Sequence, residues 1–189
     1  MFKLTVKNTD IVICFSFVAV VTLCVLLYNE QIIIISVISS LLHECGHIAA
    51  MKVNGVKIKE LRLYGGGAKI SAENNILSVK RELFIAFSGV AVNLILCVLF
   101  YKLFPLVFAV NLSILIFNLL PIGTLDGARA LDIISDKYPS LQTPAKVVKC
   151  IVSLLLAVLC AYSIFRFEIS ISVLVTVLFL TIGELVNKK

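Results

Sequence analysis

Charged residues are scarce in this sequence of 189 residues. Asp, Glu, Lys and Arg make up 15% of it, the apolar set Ala, Val, Ile, Leu, Met, Phe, Trp, Tyr and Cys makes up 60%, and the mean hydropathy is +1.09. Soluble domains average about 25% charged and about 45–50% apolar residues, and a fold of this size has too small an interior for so many apolar side chains. The composition excludes an ordinary soluble domain. It also excludes a disordered chain, because such chains are poor in bulky apolar residues.

The sequence also lacks paired cysteines, internal repeats and low-complexity tracts. Its six cysteines form no Cys-x-x-Cys pair and lie in or beside apolar runs, so we expect reduced thiols that pack rather than a disulfide framework. The net charge of +6 could indicate a nucleic-acid partner. The basic residues flank apolar runs, however, as membrane topology requires, and we expect no nucleic-acid binding.

Long apolar runs dominate what is present. A helix needs about 20 apolar residues to cross the roughly 30 Å hydrocarbon core of a bilayer. Six crossings are predicted, at residues 11–28, 31–51, 83–101, 103–122, 150–165 and 169–186. All but two of the 17 Lys and Arg residues then fall on the side of both termini, which predicts that both termini are cytoplasmic. The expected fold is an all-α polytopic membrane protein whose first span is retained rather than cleaved as a signal peptide.

The only two histidines of the chain lie four residues apart, in His43-Glu44-Cys45-Gly46-His47. Residues i and i+4 project from one face of a helix, so both imidazoles can reach a single metal ion. Glu44 lies beside them, where a general base for a metal-activated water belongs. A pair of buried histidines satisfied by hydrogen bonds would leave Glu44 unexplained.

A catalytic zinc takes three protein ligands and keeps one position for water, so a third donor is needed. Because the chain has no third histidine, we expect a carboxylate or a lone thiol. Pro121 and Gly123 should end the fourth span, which would bring Asp126 to the same leaflet as the histidines. Asp126 as the N-cap of a helix over 127–136 fits the spacing equally well.

The segment from Val56 to Leu63 alternates apolar and charged residues, which predicts a half-buried strand. Gly65, Gly66 and Gly67 permit a tight turn, and residues 68–72 can return as a second strand. We therefore predict a small cytoplasmic β-hairpin between the second and third spans. Its open edge could bind an extended peptide by strand addition, or the hairpin could simply link the two spans.

Four polar residues near the predicted spans allow two interpretations. Ser39, Ser40, Asn93 and Asn118 could line a wet path from the cytoplasm, or they could bond across helices, as Ser and Asn commonly do in membranes. Asn118 has the better functional case, since it lies about one turn before the predicted helix break. It could hold a substrate backbone or the loop that carries Asp126.

The order of these motifs resembles the site-2 protease family of intramembrane zinc metalloproteases, and within it the stage IV sporulation protein FB branch. The residues that carry the resemblance are His43 to His47, Leu63 to Lys69, Ser88 to Asn93, Asn118 to Pro121, and Leu125 to Gly127. The resemblance extends over residues 40–135. Val90 stands where the family has a proline after Gly89.

The resemblance implies that His43, His47 and Asp126 bind one zinc ion per chain and that Glu44 is the catalytic base. It implies a multi-pass enzyme of a bacterial cell membrane that cleaves membrane-tethered or transmembrane peptides. A sporulation sigma-factor precursor is the candidate substrate, and regulatory membrane proteins are further candidate partners. The candidate substrate-binding residues are Asn118, Gly65, Gly66, Gly67 and Asn93. We expect residues 1–189 to form a single domain without a CBS or PDZ domain.

Two other functions compete with this interpretation. Membrane proteases that trim prenylated proteins also use His-Glu-x-x-His, but their later glutamate motif is not evident in this sequence. A metal-ion carrier or a non-catalytic membrane protein could use the same His/Asp cluster. A carrier has no need of Glu44 beside the histidines, and the internal repeats of many transporters are not evident.

Overall fold

The computed structural model describes residues 2–6, 9–73 and 77–167, and the chain divides into two compact units, Met1–Leu115 and Ile116–Lys189. The strands are β1 (Phe2–Val6), β2 (Thr9–Ile13), β3 (Ile58–Tyr64) and β4 (Gly67–Ala72), and the helices are α1 (Phe15–Leu27), α2 (Glu30–Val53), α3 (Val79–Phe100), α4 (Pro105–Leu119), α5 (Asp126–Lys137) and α6 (Gln142–Phe167). The predicted span at 169–186 lies outside the described residues.

Within the described residues, three helical segments are long and apolar enough to cross a bilayer. These are Glu30–Val53, Val79–Phe100 and Pro139–Leu159, while Phe15–Leu27 and Pro105–Leu119 are shorter apolar helices. No side chain of α1 is buried, and apolar side chains exposed in this way are typical of a surface that contacts lipid. The described part of the chain thus supports three crossings, and the total of six stays a prediction.

The four strands form one sheet in the order β1-β2-β3-β4. The predicted hairpin is confirmed as the antiparallel pair β3–β4. The all-α prediction is wrong at the N-terminus, because β1 and β2 extend the sheet, with β2 parallel to β3. Residues 11–13 of the predicted first span lie instead in β2, because β3 offers them a strand edge with which to pair.

Helices α2 and α3 pack closely because a glycine lies at their contact. A β-carbon on Gly46 would lie 2.7 Å from the carbonyl oxygen of Ser88, closer than any ordinary contact, so only glycine permits this approach. A small core forms where the end of α2, the start of β3 and the start of α3 meet. Its buried members are Ala50, Met51, Val56, Ile58 and Ile85.

In the second unit, the break predicted after α4 is present. Helix α4 ends at Leu119, the chain turns through Gly123 with φ of +56°, and α5 begins at Asp126. The N-cap of α5 is Leu125, so the alternative in which Asp126 caps this helix is wrong. The ammonium group of Lys149 on α6 donates a 2.7 Å hydrogen bond to Asp132 on α5 and ties the two helices together.

Candidate metal centre

The imidazoles of His43 and His47 lie one turn apart on α2 and point at the same place. Their Nε2 atoms are 3.2 Å apart, and the two residues are 4% and 5% exposed. The i, i+4 spacing of a helix produces this convergence. The prediction that the two rings share one face of a helix is confirmed.

The opposite nitrogen of each ring has a hydrogen-bond acceptor on α3. Nδ1 of His47 lies 2.8 Å from the carbonyl oxygen of Ile85, and Nδ1 of His43 lies 2.6 Å from Oδ1 of Asn93. A carbonyl oxygen only accepts, so each neutral imidazole carries its proton on Nδ1 and presents a lone pair on Nε2. These are the contacts by which metal-binding histidines are commonly oriented.

The two Nε2 lone pairs cannot hydrogen-bond to each other, because neither atom carries a proton in this tautomer. A cation bound by both resolves the repulsion between them. Two nitrogens at about 2.0–2.1 Å from a tetrahedral zinc ion lie about 3.3–3.4 Å apart, close to the 3.2 Å between the Nε2 atoms here. The spacing of the pair therefore fits zinc.

Gly89 on α3 keeps the space beside these nitrogens open. A β-carbon at this position would lie 2.4 Å from Nε2 of His47 and 2.6 Å from Nε2 of His43. Any other residue would place its β-carbon against both nitrogens. The sequence signal for Gly89 is its place in the Ser88–Asn93 motif that carries the family resemblance.

Glu44 and Cys45 follow His43 on the same helix and differ in exposure. Glu44 is half-buried and Cys45 is exposed, as expected if successive residues turn about 100° around the helix axis. Glu44 is therefore adjacent to His43 in sequence, and its side chain is only partly buried.

The residues with predicted roles in the second unit are Asp126 and Asn118. Asp126 is 8% exposed and is the first residue of α5, and Asn118 is half-buried in the last turn of α4. Gly127 explains how α5 can begin here, since a β-carbon on it would lie only 2.1 Å from the carbonyl oxygen of Leu119. The glycine after Asp126 thus lets the two backbone segments of this unit approach closely.

Two of the three hairpin glycines form the turn between the strands. Gly65 and Gly66 connect β3 to β4, and Gly67 begins β4 with φ of +128°, a value that favours glycine. The N–H of Gly65 donates to Oγ of Ser16 at the start of α1, at 3.1 Å. The turn is therefore held against α1, and its predicted role in substrate binding stays a prediction.

The structure decides between the two interpretations for some of the four polar residues near the predicted spans. Ser39, Asn93 and the previously unassigned Asn111 are buried and bonded across helices, as the helix-bonding interpretation predicts. Ser40 is exposed. The structure places Asn93 against His43, and the predicted role of Asn93 in substrate binding stays a prediction.

Comparisons with known proteins agree with this geometry. Residues 31–109 match the sequence profile described as Peptidase family M50, and no match was found among curated proteins. Among solved structures, the chain is similar to the "Site-2 Protease from Methanocaldococcus jannaschii", with a TM-score of 0.67 and 24% identity over 100% of this chain and 95% of that chain. The matched segment includes both histidines, and the structural likeness shows the fold. The resemblance noted in the sequence is thus confirmed in part, by the match to the Peptidase family M50 profile and by a fold similar to that of this site-2 protease. The stage IV sporulation protein FB branch stays a prediction.

Proposed function

We propose that this protein is an intramembrane zinc metalloprotease that hydrolyses peptide bonds of membrane-embedded or membrane-tethered substrates. The observation that carries the proposal is the convergence of the His43 and His47 Nε2 atoms at 3.2 Å, with both Nδ1 atoms held by acceptors. The peptidase-family match over residues 31–109 and the site-2 protease fold support it.

In the proposed site, His43, His47 and Asp126 supply the metal ligands. Two imidazoles and one carboxylate are a ligand set of known catalytic zinc sites, which keep a fourth position open. When bound, a zinc ion acts as a Lewis acid that polarises a carbonyl and lowers the pKa of an attacking water. Asp126 as the third ligand is part of the proposal.

Glu44 is the general base in this proposal. It accepts a proton from the attacking water and delivers it to the leaving amine, so no covalent enzyme intermediate is needed. Its place next to His43 brings the carboxylate close to the metal ligands without making it one of them. A positioned general base contributes about 10²–10⁴-fold to a rate.

The substrate is proposed to bind as an extended strand at β4. A transmembrane helix shields its backbone by internal hydrogen bonds, so it must unwind before water can attack it. Strand β4 lies at one edge of the sheet, while β3 is paired on both sides. Gly65, Gly66 and Gly67 would let a peptide backbone approach the end of this edge, and Asn118 is proposed to bind the peptide backbone as well.

We further propose a location, a form of regulation and a substrate class for the enzyme. The apolar helices are compatible with a multi-pass protein of a bacterial cell membrane with cytoplasmic termini, and regulation would then come from other membrane proteins. A role in sporulation, with a sigma-factor precursor as substrate, rests only on the motif resemblance. We therefore define the substrate by its chemistry, as a membrane-tethered peptide that can be unwound near the cytoplasmic face.

The decisive experiment compares wild type with Glu44→Gln in cells that co-express candidate membrane-tethered precursors. The variant should retain bound zinc, measured in the purified protein, and lose cleavage by at least about 100-fold. The matched control is Cys45→Ser, which changes the adjacent exposed residue and should cleave normally. Equal processing by wild type and Glu44→Gln would refute the catalytic role of Glu44.

The same variant separates a protease from a metal-ion carrier. A carrier needs the ligands but not the base, so Glu44→Gln would transport ions as well as wild type does. Zinc uptake into vesicles that contain each protein measures this directly. Transport without cleavage in both proteins would favour the carrier.

A further inference from the structure

A buried row of polar side chains runs from α4 to the metal centre. Asn111 on α4 donates through Nδ2 to Oγ of Ser39 at 3.1 Å and to the carbonyl oxygen of Val107 at 2.8 Å. Asn93 on α3 donates through its own Nδ2 to Oδ1 of Asn111 at 2.9 Å, and its Oδ1 lies 2.6 Å from Nδ1 of His43. Asn93 and Asn111 are both 0% exposed.

The direction of every bond in this row follows from one backbone carbonyl. The carbonyl oxygen of Val107 can only accept, so the amide nitrogen of Asn111 must face it and the amide oxygen of Asn111 must face Asn93. The amide nitrogen of Asn93 then faces Asn111, and its oxygen faces His43. Nδ1 of His43 must therefore be the protonated nitrogen, and its Nε2 carries the lone pair.

The two histidines differ in how directly their tautomer is set. His47 has a backbone acceptor, the carbonyl of Ile85, whose orientation is fixed by α3 itself. His43 has the side-chain amide of Asn93, which could present either its oxygen or its nitrogen after a rotation of 180°. A nitrogen presented to His43 would favour the opposite tautomer and move the lone pair away from the metal. Asn111 is the group that prevents this rotation.

We propose that Asn111 is a positioning residue that sets the tautomer of His43 through Asn93, and so prepares Nε2 of His43 to bind the metal. The inference rests on the proposed function of the site, because it concerns the ligand that the proposed metal needs. A merely structural role for Asn111, as a bond between α3 and α4, predicts no selective effect on one histidine. The chain has only two histidines, so their ring nitrogens can be observed individually.

The experiment uses the full chain in lipid nanodiscs, made with ¹⁵N-labelled histidine and without a histidine tag. In alkaline buffer after chelator treatment, wild type should show both rings protonated on Nδ1 and bare on Nε2. In Asn111→Leu, the Asn93 amide loses its anchor, so His43 should gain a population protonated on Nε2. His47, held by a backbone carbonyl, should not change and is the internal control.

Two further variants make the test selective. Ser113→Ala removes a hydroxyl on α4 whose hydrogen bond within the described residues is to the carbonyl oxygen of Ala109 on the same helix, and it should leave both rings unchanged. The double variant Asn93→Asp/Asn111→Leu should restore Nδ1 protonation of His43, because a carboxylate presents an acceptor in either orientation. Zinc affinity, measured by competition with a chelating dye, should fall about 10–100-fold in Asn111→Leu, as for other groups that orient metal ligands.

The outcomes decide between this inference and its alternative. A change at His43 alone that the double variant reverses supports the inference. Unchanged His43 signals in Asn111→Leu, or equal changes at both histidines that the double variant does not reverse, would overturn it. A wild-type chain with the expected tautomers that cleaves no membrane-tethered peptide would leave this inference standing and remove the proposed function.

Discussion

Gly89 and His47 face each other between α3 and α2, and a β-carbon built on Gly89 would lie 2.4 Å from Nε2 of His47. The same β-carbon would lie 2.6 Å from Nε2 of His43. Because Gly89 has no side chain, the Nε2 atoms of both histidines stay uncovered on the side that faces α3. This relationship gives the site a property that can be tested without a substrate.

Replacing Gly89 by alanine should weaken metal binding at least tenfold while α3 stays helical. Alanine is favoured over glycine within a helix by about 1 kcal/mol, but here its methyl group would occupy the space that both lone pairs share. Zinc content after equilibration with a zinc buffer measures the first effect, and helicity by circular dichroism measures the second. We expect at least a tenfold loss of affinity.

The control for this prediction is Leu94→Ala, on the same helix at a side chain that is 54% exposed. It should bind zinc as wild type does. If Gly89→Ala also binds zinc with unchanged affinity, the space beside the Nε2 atoms is not the metal site.

Replacing Asp126 by asparagine tests the proposed third ligand. The change preserves size but removes the charge, so zinc affinity should fall by at least tenfold if this carboxylate binds the metal. Asp126 also lies in the first turn of α5, where an anion stabilises a helix by about 0.3–1 kcal/mol. Zinc affinity and thermal unfolding of the metal-free protein, measured side by side, separate the two effects.

Asp136→Asn is the matched control for Asp126→Asn, since it makes the same change at an exposed residue near the other end of α5. It should leave zinc affinity unaltered. Loss of stability without loss of zinc affinity in Asp126→Asn would show that Asp126 serves the helix and not the metal.

Replacing Gly127 by alanine should destabilise the second unit. The new β-carbon would lie 2.1 Å from the carbonyl oxygen of Leu119, and a backbone atom cannot move aside as a flexible side chain can. Such overpacking costs about 1–3 kcal/mol. Resistance to unfolding by SDS, followed by circular dichroism, should decrease relative to wild type.

Ala128→Gly is a useful comparison for Gly127→Ala, because it changes the next residue in the opposite direction. It should lower stability by about 1 kcal/mol through the weaker helix preference of glycine, and further through the loss of a buried methyl group, because Ala128 is 0% exposed. An unfolding curve of Gly127→Ala that coincides with that of wild type would contradict the close approach seen here.

The convergence of His43 and His47 could be predicted from sequence because its signal is local. Two histidines four residues apart specify one helix face without knowledge of the fold. The break after α4 was equally accessible, since proline and glycine act on the backbone wherever they occur. The acceptors for the two Nδ1 atoms were harder to predict. One of them is the backbone carbonyl of Ile85, which no residue type reveals.

The N-terminal strands were missed because an apolar run was assigned to the nearest long helix. Phe2, Leu4 and Val6 alternate with Lys3 and Thr5, which is the period of a strand. Whether such a segment forms a strand depends on a partner with a free edge. Here β1 pairs with β2, and β2 pairs in turn with β3, which begins at Ile58. Pairing over this distance in sequence cannot be read from the N-terminal residues themselves.

The role of Asn111 was missed for a related reason. An asparagine in an apolar helix can bond within its helix, across helices or to a site, and the sequence does not distinguish these alternatives. In the structure, Asn111 bonds to Asn93 on α3 and to Ser39 on α2. Its significance follows from the direction of those bonds rather than from its residue type.

The sheet makes a final prediction about where the substrate binds. Its two edges are β1 and β4, and only β4 is the proposed substrate edge. Lys3 on β1 and Lys69 on β4 occupy one row across the four strands, since Lys3 pairs with Val12, Val12 with Arg62, and Arg62 with Lys69. Both lysines are exposed and lie at opposite edges, so they form a matched pair.

A photo-crosslinking amino acid placed at position 69 should capture a membrane-tethered substrate, and the same group at position 3 should not. The Glu44→Gln background prevents cleavage, so the bound peptide accumulates. Strand addition is the physical reason for the difference, because the unpaired N–H and C=O groups of β4 bind an extended backbone. The yield of cross-linked product on a denaturing gel measures it. Equal capture at both positions would contradict a specific role for β4, and capture only at position 3 would move the substrate to the opposite edge.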